Sequence, residues 1–181
     1  EWMHVTVKRN GKYFFQSYKR GIPDGKVTEA KVATKIPPSL VPLETGTATT
    51  FFLDSEIFKE GIVLDFEMIK KTIKERAYLI PRIFFHLLDV RDNKKCDYYF
   101  EGGIVALVKA LNKNKEMLHD PIYLKRNEGD VEVEIALVYN DGFAENVESF
   151  VNVTNTIEGG AHLTGFRMAL TRVINDYGRK I

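Results

Sequence analysis

Trp2-Met3-His4-Val5-Thr6-Val7-Lys8-Arg9-Asn10-Gly11-Lys12-Tyr13-Phe14-Phe15-Gln16-Ser17-Tyr18 decides how this chain begins to fold. Two runs rich in β-branched and aromatic residues flank Asn10-Gly11, a pair that tolerates the positive φ angles of a tight two-residue turn. The stretch predicts a β-hairpin over 2–8 and 13–18, so antiparallel pairing is the theme from the outset. A chain that opens directly in a strand also carries the expectation that the native protein continues upstream of Glu1.

Outward from the hairpin, Gly21, Pro23, Gly25, Pro37, Pro38 and Pro42 break any period between Arg20 and Glu44 and predict a long irregular connection. Thr45–Leu53 reads as the next strand, and its period of two sets Thr47 and Thr49 on one face. From Asp65 to about Leu79 the spacing predicts a helix, with Phe66, Ile69, Ile73 and Ala77 along one stripe and Pro81 as its stop. Arg82–Val90 and Cys96–Glu101 read as a second hairpin around a polar turn. A short amphipathic helix follows Gly102-Gly103 and runs to about Asn114.

Val131–Tyr139 alternates almost without fault, which predicts a strand with Val131, Val133, Ile135, Leu137 and Tyr139 on a buried face. A partner strand is expected over about Asn146–Thr156. Gly159-Gly160 then leads into a last helix with Leu163, Phe166, Leu170, Val173, Ile174 and Tyr177 in one apolar stripe and Arg167 at its edge. Hairpins interrupted by single helices predict the α+β class. A change of unit is expected near Glu101-Gly102-Gly103, where one strand and helix set ends and another begins.

The whole-chain numbers set limits on function. At 181 residues the chain can bury about 70% of its unfolded surface, so a core forms without disulfides or structural metals. Twenty-six Lys and Arg against 25 Asp and Glu leave a formal charge of +1, so no bulk field draws it to DNA or anionic lipid, and any nucleic-acid contact is local. The single cysteine, Cys96, forms no internal disulfide and points to a reducing compartment. No apolar run reaches the roughly 18 to 20 residues of a membrane span, and no signal-peptide pattern opens the chain, so a cytoplasmic protein is expected.

His4, His86, His119 and His162 lack metal-ligand spacing, and isolated histidines are mostly structural, so no metal site is expected in these residues. Neither a nucleophile elbow nor a Walker A or Gly-x-Gly-x-x-Gly pattern is present. Read alone, Gly159-Gly160 serves a sharp strand-to-helix turn. Most carboxylates read as solvated surface, Glu132 and Glu134 among them.

Five blocks carry a resemblance: Thr45-Gly46-Thr47-Ala48-Thr49-Thr50-Phe51; Tyr99-Phe100-Glu101-Gly102-Gly103-Ile104; Leu111-Asn112-Lys113-Asn114-Lys115; Tyr139-Asn140-Asp141-Gly142; and Asn155-Thr156-Ile157-Glu158-Gly159-Gly160-Ala161-His162-Leu163-Thr164-Gly165-Phe166-Arg167. With Lys19-Arg20-Gly21-Ile22-Pro23 they cover almost the whole chain, in the order found in the B subunits of type IIA DNA topoisomerases, gyrase and topoisomerase IV. The last block is the most specific. The resemblance implies that residues 1–101 are the later part of a GHKL (Bergerat) ATPase two-layer sandwich and that 102–181 are the first part of the transducer domain, a ribosomal-protein-like α/β fold. It leaves gyrase and topoisomerase IV unseparated.

The same resemblance implies the site residues. Thr47 matches the threonine that faces adenine through an ordered water, and Thr49 matches the next position lining that pocket. Arg9 resembles the pocket-rim arginine associated with coumarin-type inhibitors, against a bland reading as a hairpin surface charge. Arg167 matches an arginine lining the DNA-facing cavity between two transducer domains, against a bland reading as a structural ion pair. No catalytic residue is assigned to this chain: the resemblance puts the general-base glutamate, the magnesium-binding asparagine and the lid glycines upstream of residue 1, and the lysine reaching the γ-phosphate downstream of Ile181. The implied cofactors are therefore ATP and Mg²⁺, held mainly by residues outside this chain, which alone is expected to be inactive. The implied partners are a second copy of the B protein, an A protein in an A2B2 enzyme and double-stranded DNA, with no membrane. An organelle copy of the enzyme would read the same way. The alternative from another class is a non-enzymatic module that binds DNA or a partner through the transducer surface.

Overall fold

The structure, a computed structural model, describes residues 1–30, 35–59 and 62–181. Residues 1–64 form one compact unit and residues 65–181 a second. This division differs in position from the expected domain border at Glu101-Gly102, which lies inside the second unit.

In the first unit, β1 (Trp2–Arg9) and β2 (Lys12–Lys19) pair antiparallel from Trp2 opposite Lys19 to Arg9 opposite Lys12. Asn10 and Gly11 take φ of 52° and 73°, the left-handed pair that a two-residue hairpin turn requires and that this dipeptide adopts with little strain. The stretch expected to be irregular holds two short strands, β3 (Ile22–Pro23) and β4 (Thr28–Glu29), both antiparallel to β2. Its residues 31–34 lie outside the described residues. β5 (Gly46–Phe52) pairs with the other edge of β1, giving a sheet in the order β3-β2-β1-β5 with β4 beside β2.

One face of this sheet is covered by the connection ahead of β5. Leu40, in the 3-10 turn Pro38–Leu40, is 2% exposed, and a Cβ on Gly46 would come within 2.9 Å of its Cδ2. The Thr6 side chain is buried beneath the same segment and donates to the Lys35 carbonyl at 2.9 Å. The Lys8 ammonium donates to the Val41 carbonyl at 2.8 Å. These contacts fix which face of β1 looks inward, and the period of two then fixes the other.

The second unit starts with α1 (Phe66–Leu79), capped by the Asp65 carboxylate, which accepts from the Met68 N–H at 2.8 Å. Its expected stripe points inward: Phe66, Ile69 and Ile73 are half-buried and Ala77 is fully buried. Tyr78 is buried too, and its ring stacks on Phe100 with centroids 3.7 Å apart and planes 12° from parallel. Burial pushes the Tyr78 phenol pKa up. α2 (Gly103–Leu111) packs against α1. It begins at Gly103, whose φ of 54° and approach to Pro81 suit a residue without a side chain.

Between the helices lie β6 (Phe85–Asp89) and β7 (Lys94–Tyr98), a hairpin shorter than its sequence limits. Arg91 forks onto the Asp89 carboxylate, with Nη2 at 2.7 Å from Oδ2 and Nε at 2.9 Å from Oδ1, and its backbone N–H adds a third bond at 3.0 Å. These charge-assisted bonds hold the Asp89 carboxyl down at about 2. A carboxylate depressed on folding stabilises the hairpin above the ordinary Asp range near 3.9 and stops doing so as pH falls through about 2. Asp89→Asn is expected to remove this part of the acid dependence between about pH 4 and pH 2, read as the loss of a step in an acid-unfolding curve relative to the unsubstituted protein.

Two expectations for the remainder need correction. The partner of β9 (Val131–Leu137) is not a strand over 146–156 but β8 (Ile122–Glu128), joined to it across Gly129-Asp130. Residues 150–155 instead fold back on themselves as a small hairpin, β10 (Phe150–Val151) and β11 (Thr154–Asn155), turned at Asn152 with φ of 55°. The β9 face expected to be buried is only partly so: Ile135 and Leu137 are half-buried, whereas Val131 and Val133 are exposed, and Tyr139 lies beyond the strand. The opposite face carries Lys125 between Glu132 and Glu134, each at 2.8 Å, with Tyr123 donating to Glu134 at 3.0 Å. That bridge raises the Lys125 pKa and lowers that of Glu134. α3 (Ala161–Gly178) closes the chain, its stripe half-covered at Leu163, Phe166 and Leu170 and open at Val173, Ile174 and Tyr177.

Candidate functional site

β5 pairs Thr47 with Val7 and Thr49 with Val5, so both threonines share a face with those valines. The same alternation puts Arg9, two residues beyond Val7 on β1, on that face as well. This is the face turned away from Thr6, Lys8 and the covering segment. Thr47, Thr49 and Arg9 are all exposed. Neither threonine hydroxyl has a hydrogen-bond partner among the described residues, so both are available to a ligand. The structure thus brings together three residues singled out from two separate stretches of sequence.

The chemistry of this wall is specific in kind. Valines and the Phe51 ring give an apolar surface, on which two hydroxyls stand one strand period apart, about 7 Å, with a guanidinium toward one end. Such a surface suits a flat heteroaromatic ring with polar edges: the apolar ground accepts its faces and the hydroxyls fix its orientation. A shallow groove of about 470 Å³ near the hairpin turn is lined by Lys8, Asn10, Gly11 and Pro42 to Thr45. Its wall includes neither Thr47 nor Thr49, and Lys8 belongs to the covered face, so it is distinct from the threonine wall.

Arg167 belongs to α3 in the second unit. Its Nη2 donates to Glu145 Oε1 at 3.1 Å, and both side chains are more than half exposed. The ion-pair reading of Arg167 is therefore realised, in an exposed form of small energetic weight. Glu145 carries no local signal in the sequence, since the partners are 22 residues apart and joined only by the path through β10 and β11. Upstream of α3, Gly159 takes φ of 77°, and Gly160 takes φ 158° and ψ −177°, where a Cβ would meet His162 Cε1 at 2.9 Å. The glycine pair thus serves the turn into the helix. Among the described residues no three His, Cys, Asp or Glu side chains converge in a way that could hold a metal ion. No helix among them is long and apolar enough to cross a membrane.

Known proteins are similar to this chain in sequence and in fold. The family described as DNA gyrase B matches residues 103–181. The DNA gyrase B protein of Archaeoglobus fulgidus is 42% identical over 99% of the chain, and that of a Staphylococcus epidermidis strain is 44% identical over 97%. The chain spans 28% and 26% of these two relatives, a little over a quarter of their length. Among solved structures, the 43K ATPase domain of Thermus thermophilus gyrase B in complex with an aminocoumarin superposes with a TM-score of 0.81 at 30% identity, over 99% of this chain and 47% of that one. The topoisomerase IV ATP-binding domain of Francisella tularensis shares the fold, with a TM-score of 0.73 at 19% identity over 99% of this chain and 46% of its own. In sequence and in fold, along nearly all its length, this chain is similar to a stretch of the DNA gyrase B proteins.

Proposed function

We propose that this chain is part of the ATP-operated clamp of a type II DNA topoisomerase, in which nucleotide binding and hydrolysis are coupled to closure of a dimer of B proteins and to DNA strand passage. One observation carries the reading: Thr47 and Thr49 stand together, exposed and without protein partners among the described residues, on the sheet face that also carries Arg9. The Thermus relative that superposes on nearly the whole chain is an ATPase domain, which supports the same assignment.

In this reading residues 1–101 contribute a wall of the nucleotide pocket and residues 102–181 the first part of the transducer. The Thr47 hydroxyl orients the adenine edge, directly or through a water, and Thr49 lines the pocket beside it. Arg9 stands at the rim, where an aminocoumarin of the kind held by the Thermus protein would meet it. Mg²⁺ neutralises charge on the phosphates when bound, and in this reading its ligands lie on residues outside this chain. Arg167 faces the DNA-bearing cavity of the closed dimer and exchanges its exposed Glu145 partner for passing phosphates without reading bases. The partners are then a second copy of the B protein, an A protein and duplex DNA, in the cytoplasm.

Hydrolysis needs an oriented water and a general base, and the proposal places both on residues outside 1–181. Residues 1–181 alone are expected to release no phosphate from ATP above background, whereas the full-length protein turns ATP over. Steady turnover by residues 1–181 alone, measured as phosphate release, would contradict this division of roles.

A further inference from the structure

The connection between α2 and β8 is fastened to the turn after β9 by paired backbone bonds: the Leu118 N–H donates to the Tyr139 carbonyl at 2.9 Å, and the Asp141 N–H to the Glu116 carbonyl at 3.0 Å. The Asp141 carboxylate accepts from the Glu116 N–H at 3.1 Å, and the Asn140 amide reaches back to Asn112 at the end of α2 at 2.6 Å. Within this lattice His119 is held by both ring nitrogens. Its Nε2 lies 3.0 Å from the Tyr139 backbone nitrogen, and its Nδ1 lies 2.6 Å from the Asp120 carbonyl oxygen.

Those two partners leave no freedom in the proton assignment. A backbone N–H only donates, so Nε2 must present its lone pair; a carbonyl only accepts, so Nδ1 must carry the hydrogen. The site therefore selects the neutral Nδ1–H tautomer. A second proton on Nε2 would set two donors against each other at 3.0 Å, and the bond to Tyr139 would be lost. The charged and titratable groups on the two fastened segments are Lys115, Glu116 and Asp120 on one side and Tyr139 and Asp141 on the other.

We propose that His119 is a proton-operated latch, holding the α2–β8 connection to the turn Tyr139-Asn140-Asp141-Gly142 while neutral and releasing it when doubly protonated. This inference rests on the ring's hydrogen bonds and stands independently of the nucleotide reading.

The test uses the full-length protein. Amide hydrogen exchange over 139–141, corrected for the intrinsic effect of pH, is expected to speed up about tenfold between pH 7.5 and pH 5.5, because the Tyr139 N–H loses its acceptor when Nε2 takes a proton. Amides in the middle of the β8–β9 ladder should not show the step. His119→Gln, which does not titrate, should abolish it whether or not the glutamine oxygen replaces Nε2 as acceptor. Absence of the step in the unsubstituted protein, or its persistence in His119→Gln, would overturn the proposal. Nitrogen-15 spectra of the unsubstituted protein at pH 7.5 supply a second reading: the hydrogen is expected on Nδ1, and finding it on Nε2 would overturn the proposal regardless of how the variant folds.

Discussion

Tyr78→Ala is expected to destabilise the second unit by about 3 to 4 kcal/mol, the usual range for removing a buried aromatic side chain. Tyr78 is 6% exposed, and its stack on Phe100 joins the end of α1 to the segment leading into α2. Truncation removes the apolar contact and leaves a cavity in its place. At roughly 2 to 4 °C per kcal/mol, the unfolding transition of this unit should drop by about 10 °C. Tyr78→Phe keeps the ring and is expected to lose less than about 1.5 kcal/mol, since the Tyr78 hydroxyl has no hydrogen-bond partner among the described residues. Differential scanning calorimetry of the full-length protein distinguishes the two, and a drop of under about 2 °C for Tyr78→Ala would show that the stack does not join these segments.

What can be read from the sequence follows local rules. Asn10-Gly11 announces its turn because few residue pairs accept two consecutive positive φ values. Asp65 announces α1 because a carboxylate ahead of an apolar stripe satisfies the first free amides. Strand β5 is legible through its alternation, which puts Thr47 and Thr49 on one side before any contact is known.

The misreadings share a different cause. β8 runs Ile122-Tyr123-Leu124-Lys125-Arg126-Asn127-Glu128, which shows no clean alternation, because Lys125 joins Tyr123 on a face where Glu132 and Glu134 of β9 neutralise it. Only the register reveals that a lysine there is at ease. The hairpin at 150–155 turns on Asn152, a residue that takes left-handed φ readily but does so without the glycine that usually advertises it. Apolar residues on β9 and α3 that the period marks as buried are partly exposed among the described residues, since periodicity tells which residues share a face and not how much covers it.

The candidate site divides along the same line. Arg9, Thr47 and Thr49 converge through sheet register, a regular geometry that sequence can anticipate. The Arg167 pairing with Glu145 and the tautomer of His119 come from particular loop paths, which no period encodes.

The second large effect concerns the threonine wall. If the Thr47 hydroxyl orients adenine, Thr47→Val removes one hydrogen bond of about 1.4 kcal/mol and should weaken ATP-analogue binding to the full-length protein roughly tenfold. Thr47→Trp projects a large ring into the same space and is expected to weaken binding by about a hundredfold or more, the scale of a roughly 3 kcal/mol steric conflict. The strand itself has room for both changes, because Thr47 is exposed in its own unit. Thr50 provides the control: it lies on the same strand but pairs with His4 on the opposite face.

The most direct measurement is calorimetric binding of a non-hydrolysable ATP analogue to the full-length protein carrying Thr47→Val, Thr47→Trp or Thr50→Val, with thermal unfolding run alongside to confirm that each variant is folded. Graded loss for the two Thr47 variants, with Thr50→Val within about twofold of the unsubstituted protein, is the expected result. Unchanged affinity in folded Thr47→Trp would place the nucleotide elsewhere and contradict the account.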